Sequence, residues 1–323
     1  MPHTIFHDLA LNFKKDQHWS QIETQFYQAL TALEWSPNGN HCAVGKLDGS
    51  VQILCIEDSF VPCCSIEPST SKITSVSFNE TSDLFASTSI DEKFAFITGF
   101  NVSDGKLNKR SSRVKCLEIP RFVSFMEDVA RGQNILVAGT QSGLKLFDVD
   151  SETIFREVMI KGGATSLRSW HGCMLAVGVG DKSVQIWDVR VRDPVWVYRP
   201  QGAAVRPCFD VDNSNRVLIV ADDKGGVTSL DLVARKEISK KKVMSNSIKA
   251  LRISSIMRFL VSTDGESTSI SNFNDPVNIA SHQLEKPTSI LGFRWHPEEC
   301  SFLTRSSDKI LRIWQYTPSQ STI

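Results

Sequence analysis

One unit recurs through most of this sequence, and it is clearest in Met174–Arg190. The unit begins with an apolar run, continues through a tight polar turn at 180–182, and ends with an alternating run that carries Trp187 and Asp188. Short apolar runs on either side of a turn rich in Gly and Asp are typical of an antiparallel β-hairpin. The chain is therefore expected to contain many copies of one hairpin-based unit.

The position of Trp187 marks the repeat. Corresponding positions follow one another at steps of 40 to 50 residues; they are Leu54, Ile97, Phe147, Trp187, Leu230, roughly Asn272, and Trp314. Each unit has an alternating strand, a small-residue strand, a turn with Asp or Gly, the strand with the marker, and a weaker fourth strand. Four-stranded repeats of about 40–45 residues are typical of propeller blades. The sequence therefore predicts seven blades.

The ends of the repeat region indicate how the last blade is completed. The seventh unit stops at Tyr316 after three strands, and Trp19–Tyr27 alternates just before the first unit. Because an incomplete sheet exposes a strand edge, we expect residues 19–27 to supply the fourth strand of the seventh blade and to close the ring. This gives an N-terminal arm at 1–18, a propeller at 19–317 and a flexible tail at 318–323.

Composition restricts the classes of function. The 323 residues include 36 Lys and Arg and 36 Asp and Glu, so no net charge attracts nucleic acid or an anionic membrane. No apolar run is long enough to span a bilayer, and the N-terminus lacks the pattern of a secretory signal. The eight cysteines form no CxxC pair, which favours reduced, buried thiols. We expect an intracellular protein, in the cytoplasm, the nucleus or both.

Motifs of enzymes and of metal sites are missing from the sequence. The patterns HExxH, GxSxG, GxxxxGK and GxGxxG do not occur, and the seven histidines are scattered. Adjacent acids at 91–92 and 222–223 fall in predicted turns, where solvated acids are commoner than catalytic pairs. No spaced His/Cys set indicates a metal site. The sequence predicts no catalytic residue, no cofactor and no metal. The alternative to a non-catalytic protein is an enzyme with its active site at the central channel of the propeller.

Several repeats resemble those of a known family. Full or decayed WD dipeptides stand at 147–148, 187–188 and 230–231, and residues 308–314 are similar to a closing WD repeat. The resemblance to the WD40-repeat family covers about residues 30–316. It implies an all-β, seven-bladed WD40-type β-propeller closed by an N-terminal strand. It also implies a non-catalytic scaffold or adaptor that holds protein partners within a larger complex.

One WD dipeptide belongs to a longer motif, Trp187-Asp188-Val189-Arg190. Within WD40 proteins this WDxR form is similar to the box by which many propellers dock on the DDB1 adaptor of cullin-4 ubiquitin ligases. The resemblance implies a second hypothesis, in which the chain is a substrate receptor and Arg190 presents its guanidinium donors to the adaptor. The structural alternative is that Arg190 pairs with a carboxylate of a neighbouring blade.

Other basic residues are candidates for binding. Arg199 and Arg206 flank a loop between the fourth and fifth units, which is expected to open on the face that propellers use for partner peptides, and Arg is frequent in binding hot spots. The basic segments 105–115 and 235–242 are candidates for contact with phosphate or an acidic peptide. No aromatic residues interleave with them for base stacking, so we interpret both segments as solvated loops.

Overall fold

The computed structural model is all β. It describes residues 19–56, 59–101, 107–128, 133–170, 172–201, 207–212, 216–254, 259–272, 279–283 and 288–316. Within these ranges there are 28 strands, arranged as seven four-stranded antiparallel sheets, and no helix is long and apolar enough to cross a membrane. This confirms the predicted fold class, an all-β chain with seven blades of the β-propeller type.

The strands follow one another with short connections. In chain order they are β1 (Trp19–Gln25), β2 (Leu30–Trp35), β3 (His41–Lys46), β4 (Val51–Ile56), β5 (Phe60–Ile66), β6 (Ile73–Phe78), β7 (Leu84–Ser89), β8 (Phe94–Phe100), β9 (Leu107–Lys115), β10 (Phe122–Asp128), β11 (Gln133–Gly139), β12 (Gly143–Asp148), β13 (Thr153–Met159), β14 (Ala164–Trp170), β15 (Met174–Val179), β16 (Val184–Asp188), β17 (Trp196–Tyr198), β18 (Cys208–Asp212), β19 (Val217–Ala221), β20 (Gly226–Asp231), β21 (Lys236–Lys242), β22 (Ala250–Ser254), β23 (Phe259–Thr263), β24 (Ser267–Asn272), β25 (Ile279–Gln283), β26 (Ile290–Trp295), β27 (Ser301–Ser306) and β28 (Ile310–Tyr316).

The chain divides into two compact units, and the first comprises Gln28–Pro207. It contains four sheets, β2–β5, β6–β9, β10–β13 and β14–β17, each with its strands in chain order. Neighbouring sheets share apolar clusters, such as the one that joins Trp187 to Val137 and Leu146 of the third sheet. The second strands are buried along their whole length or nearly so, which explains why they read as small apolar runs without alternation.

The second unit comprises Met1–Tyr27 and Cys208–Ile323. Its sheets are β18–β21, β22–β25 and a composite sheet in the order β1-β28-β27-β26. In that sheet β1 pairs antiparallel with β28, from Trp19 opposite Tyr316 to Gln25 opposite Ile310. The predicted pairing of the N-terminal segment with the last strand is therefore confirmed.

Aspartate side chains close the turns between second and third strands, as the sequence indicates. The carboxylate Oδ1 of Asp48 accepts the backbone N–H of Ser50 at 3.0 Å, and that of Asp181 accepts the N–H of Ser183 at 2.9 Å. The next residue in the first of these turns, Gly49, has a φ of 88°, a value that favours glycine. These bonds fix the turns that precede the marker strands.

One marker position predicted from the sequence is wrong by one residue, and a second, which was predicted only approximately, is displaced by one residue. In the first, fourth and fifth sheets and in the composite sheet the marker lies opposite the second residue of the preceding strand, as Trp187 does. That place is taken in β8 by Thr98 instead of Ile97, and in β24 by Ser271 instead of Asn272. Because a shift by one residue moves a side chain to the other face of a sheet, Ile97 packs towards the third sheet.

The interpretation of the two basic segments as loops is also wrong for most of their length. Residues Leu107–Lys115 form β9, the fourth strand of the second sheet, and Lys236–Lys242 form β21, the fourth strand of the fifth sheet. Both are edge strands, and their described exposed charges are Arg113 and Lys115 in β9 and Lys236, Glu237, Lys240 and Lys242 in β21. Charged residues are common on edge strands because they prevent pairing with another chain, and they hide the alternation that identifies a strand.

Candidate functional site

The WD dipeptide of the fourth sheet has a structural role. Trp187 is buried in the cluster between the third and fourth sheets, and its Nε1–H donates to Oε1 of Gln185 at 3.1 Å. Asp188 ends β16, and its Oδ1 accepts the backbone N–H of Arg190 at 2.9 Å. An Asp that binds a backbone amide two residues later forms an Asx turn. One residue of the dipeptide therefore packs, and the other closes the turn.

The guanidinium of Arg190 binds the same carboxylate. Its Nε lies 2.9 Å from Oδ1 of Asp188 and its Nη2 lies 2.6 Å from Oδ2, although the Arg190 side chain is 69% exposed. The hydrogen bond from Arg190 holds the pKa of Asp188 below its ordinary value, against the effect of burial. The carboxylate that pairs with Arg190 thus comes from its own turn, whereas the sequence placed the structural partner in a neighbouring blade.

A residue of the third sheet, which the sequence did not indicate, forms hydrogen bonds to this turn. Arg156 of β13 donates through Nη1 to the carbonyl oxygen of Val189 and through Nη2 to that of Val191. Its positive charge also contributes to the lowered pKa of Asp188. The turn at 187–191, which we name the WD turn, is therefore held by two arginines and one carboxylate.

The remaining predicted binding residues do not join the WD turn. Arg199 follows β17, and its Nη2 lies 3.8 Å from Oδ2 of Asp181, in the turn that precedes β16. Because β16 separates that turn from Asp188, Arg199 and Arg190 lie at opposite ends of the fourth sheet. Arg206, the last candidate, lies outside the described residues.

A cavity that the sequence did not reveal lies in the unit Gln28–Pro207. It has a volume of about 640 Å³ and is lined by residues of the first three sheets. The lining comes from the starts of β2, β6 and β10, from turns between second and third strands, and from the connection between β9 and β10. In antiparallel sheets these segments share one end, and the turns between third and fourth strands, including the WD turn, lie at the other end. We name this cavity the groove.

Exposed apolar side chains line part of the groove. Ile90, Leu117 and Ile119 are 48%, 53% and 38% exposed, respectively. Leu117 also has a φ of 65°, in the left-handed region that costs residues other than glycine about 1–2 kcal/mol. Strained backbone of this kind tends to occur at ligand-binding positions. In the connection between β9 and β10, Leu117 therefore has an unfavourable backbone conformation and a side chain that is exposed to solvent.

The charge of the groove is positive. Lys72, Lys93 and Arg121 line it and are exposed, and none of them forms an ion pair with an acid in the described part of the chain. Glu118 is the acid of the lining, and its Oε2 accepts the backbone N–H of Ser142 at 3.1 Å. The hydroxyl of Ser142 also donates to Glu118, which lowers the pKa of that carboxyl. The groove thus contains three cationic side chains and one carboxylate, and that carboxylate is already hydrogen-bonded to Ser142.

A comparison with known families matches residues 21–53 to the family described as WD domain, G-beta repeat. The match begins within β1 and ends within β4, so this sequence repeat combines the last strand of the composite sheet with three strands of the first sheet. The match covers one repeat, and together with the seven four-stranded sheets it supports a WD40-type β-propeller. Proteins of this class generally mediate interactions between proteins.

Proposed function

We propose that this WD40 protein is a non-catalytic scaffold whose groove binds a segment of a partner protein that contains both acidic and apolar residues. The observation that carries the proposal is the combination of three exposed apolar side chains with three cations that lack an acidic partner among the described residues. Apolar side chains surrounded by charged ones are typical of binding surfaces, because burial supplies affinity and charge selects the partner.

The composition of the groove supports binding more than catalysis. Its described lining includes no His, Cys or Asp, which are common nucleophiles and acid–base groups. Glu118 is its acid, and Ser142 holds that carboxylate in place. A groove of this kind has the donors and the apolar surface to retain a peptide, and we therefore assign the protein a scaffold role.

The contacts of the WD turn support a structural role over the adaptor-docking hypothesis. The Nε and Nη2 donors of Arg190 bind the carboxylate of Asp188, so a DDB1-type adaptor would have to use the other donors of the guanidinium or displace that carboxylate. Two backbone carbonyls of the turn are also occupied by Arg156. Because these groups already have partners within the fold, the substrate-receptor hypothesis is the weaker of the two.

A selection from a random peptide display library tests the scaffold proposal. The full chain is the bait, and the strongest peptide, which we name the selected peptide, is then synthesised and titrated in solution. We expect it to contain Asp or Glu beside Leu, Ile or Phe, and we expect its affinity to fall with rising salt. The groove variant Lys72→Glu/Lys93→Glu/Arg121→Glu should bind it at least about a hundredfold more weakly, close to 2.7 kcal/mol.

The control variant makes the same change of charge elsewhere. Lys236→Glu/Lys240→Glu/Lys242→Glu alters the exposed edge strand β21. The affinity should stay within about twofold of the wild-type value, because dissolved ions screen the effect of surface charges that lie far from the binding site. Selection of basic peptides, or equal loss of affinity in both variants, would contradict the proposal.

A further inference from the structure

Three potential metal ligands meet on one face of the first sheet. They are His41 of β3, Cys55 of β4 and Cys63 of β5, and their ligand atoms all lie within 4.8 Å of one another. His41 lies directly opposite Cys55 in the antiparallel pairing, which places both side chains on the same face. Three adjacent strands thus converge on one point, although 22 residues separate the first and last ligand in the sequence.

A β-bulge brings the third residue to this point. Leu54 pairs with Pro62 and Ile53 pairs with Cys64, so Cys63 is the additional residue on β5. Bulges redirect side chains and recur beside functional sites. Since Cys55 pairs with Val61 two residues before Cys63, the bulge places the second thiol beside the first.

One nitrogen of the His41 imidazole has no hydrogen-bond partner among the residues that the structure describes. The side chain is buried, with 4% of its surface exposed, and Phe100 packs edge-on against it with ring centres 4.9 Å apart. Its Nδ1 is shielded from solvent and has no hydrogen-bond partner in the part of the chain that the structure describes. A buried polar atom without a partner is unfavourable, and here an imidazole with one unsatisfied nitrogen lies close to two thiols.

The chemistry of the three residues selects the ion. Thiolates and imidazole are the ligands of soft or borderline metal ions, and two sulfurs with one nitrogen fit tetrahedral Zn²⁺ with one position left for water or another ligand. Zn–S bonds of about 2.3 Å and Zn–N bonds of about 2.0–2.1 Å imply ligand separations of roughly 3.5–3.8 Å. Because the ligand atoms lie within 4.8 Å of one another, they have at most about 1 Å to close, which is within the range of a side-chain rotation. Cys55 and Cys63 are partly exposed, so an ion reaches them from solvent.

We propose that His41, Cys55 and Cys63 form a Zn²⁺ site that joins β3, β4 and β5. This site is independent of the groove and of the proposed scaffold function. Binding forms two Zn–S bonds and one Zn–N bond, and the two thiol protons pass to the buffer. No electron is transferred, and the ion contributes structural cross-linking of three strands.

The test uses the full chain, reduced with a phosphine and freed of metal with a chelator. Co²⁺, a spectroscopic substitute for Zn²⁺, is titrated first, and Zn²⁺ is then added in competition. We expect one equivalent of Co²⁺ to give the visible bands of a tetrahedral site and the ultraviolet charge-transfer band of thiolate ligation. One equivalent of Zn²⁺ should remove both, and it should raise the melting temperature.

The variants separate the site from adventitious binding. Cys55→Ala/Cys63→Ala should weaken Zn²⁺ binding at least a hundredfold, while Cys64→Ala, at the adjacent position outside the ligand set, should retain it. His41→Gln should weaken binding at least tenfold, and its melting curve without metal checks that it folds. The proposal is overturned if the reduced wild-type protein gives no tetrahedral spectrum, or if the double variant binds as tightly as Cys64→Ala. It is equally overturned if Cys55 and Cys63 form a disulfide whose reduction restores no Zn²⁺ binding.

Discussion

The WD turn and the groove lie at opposite ends of the sheets in the unit Gln28–Pro207, and their charges have different partners. At the WD turn, Arg190 and Asp188 bind each other, and Arg156 binds two backbone carbonyls. In the groove, three cations face solvent without an acidic partner among the described residues. The first surface contains the more recognisable motif, and the second contains the groups that are available to a ligand.

This difference teaches that an arginine in a family motif is not by itself a binding group. A hydrogen bond to a charged group contributes about 1.5–3 kcal/mol, and a partner that takes over Arg190 has to replace that contribution. A solvated lysine in the groove has no such bond to break. The comparison therefore predicts that changes at the WD turn alter stability and that changes in the groove alter peptide binding.

The largest effect on stability is expected from Asp188→Ala. The change removes the acceptor of the Arg190 amide and the partner of its guanidinium, and it should lower the free energy of unfolding by about 1.5–3 kcal/mol. Urea denaturation measures this loss, and affinity for the selected peptide should stay unchanged. Asp188→Asn, which keeps an acceptor for the amide, should lose less. If Asp188→Ala had wild-type stability but bound no selected peptide, the WD turn rather than the groove would be the binding surface.

The carboxylate of Asp188 should make the free energy of unfolding depend on pH. Because Arg190 holds the pKa of Asp188 below its ordinary value, the folded chain releases this proton more readily than the unfolded chain. The stabilisation is complete above the unfolded pKa of about 3.9 and is lost as the pH falls through the lower folded pKa. The difference in unfolding free energy between wild type and Asp188→Asn should therefore shrink between about pH 5 and pH 2. A difference that is constant over this range would contradict the ion pair.

A smaller effect of opposite sign is expected from Leu117→Gly. Glycine tolerates the φ of 65°, so the free energy of unfolding should rise by up to about 1 kcal/mol. The loss of the exposed apolar side chain should weaken binding of the selected peptide by about five- to tenfold, near 1 kcal/mol. Lys182→Gly, at a φ of 70° in a turn of the fourth sheet, is the matched control and should relieve strain without changing affinity. Equal affinity in both variants would remove Leu117 from the binding surface.

The smallest effect is expected from Arg199→Ala. Its guanidinium lies 3.8 Å from Asp181, and both side chains are exposed, so the pair should contribute less than about 0.5 kcal/mol to the free energy of unfolding. Chemical denaturation at low and high salt measures it. A loss of more than about 1 kcal/mol in the free energy of unfolding would contradict this expectation. It would mean that the charged side chains at this end of the fourth sheet stabilise the fold, as those of the WD turn do.

The repeat pattern predicted the number of sheets because buried second strands and capped turns leave a regular trace in the sequence. The register failed in β8, whose sequence Phe94–Phe100 is apolar at both odd and even positions and therefore does not reveal which face a residue occupies. The fourth strands β9 and β21 were missed for the opposite reason, because their sequences carry charged residues at both odd and even positions. Alternation identifies a strand only when one face is buried and the other is not.

The binding surface and the proposed metal site could not be predicted because their residues are distant in the sequence. Lys72, Lys93 and Arg121 come from three separate connections, and only the pairing of the strands brings these to one end of the sheets. His41 and Cys55 are opposite each other only because of the register of β3 and β4. The apolar residues Leu117 and Ile119 gave no signal in the sequence, because only the structure shows that they are exposed.

Photo-cross-linking tests the central claim most directly, since it compares the two surfaces in one experiment. The photoreactive residue p-benzoylphenylalanine is introduced into the full chain at Ile119 in the groove or at Val191 in the WD turn, which are 38% and 45% exposed. Each protein is irradiated with the selected peptide, and the adducts are measured by mass spectrometry. We expect an adduct at position 119 and none at position 191. An adduct at position 191 with none at 119 would contradict binding of the peptide in the groove.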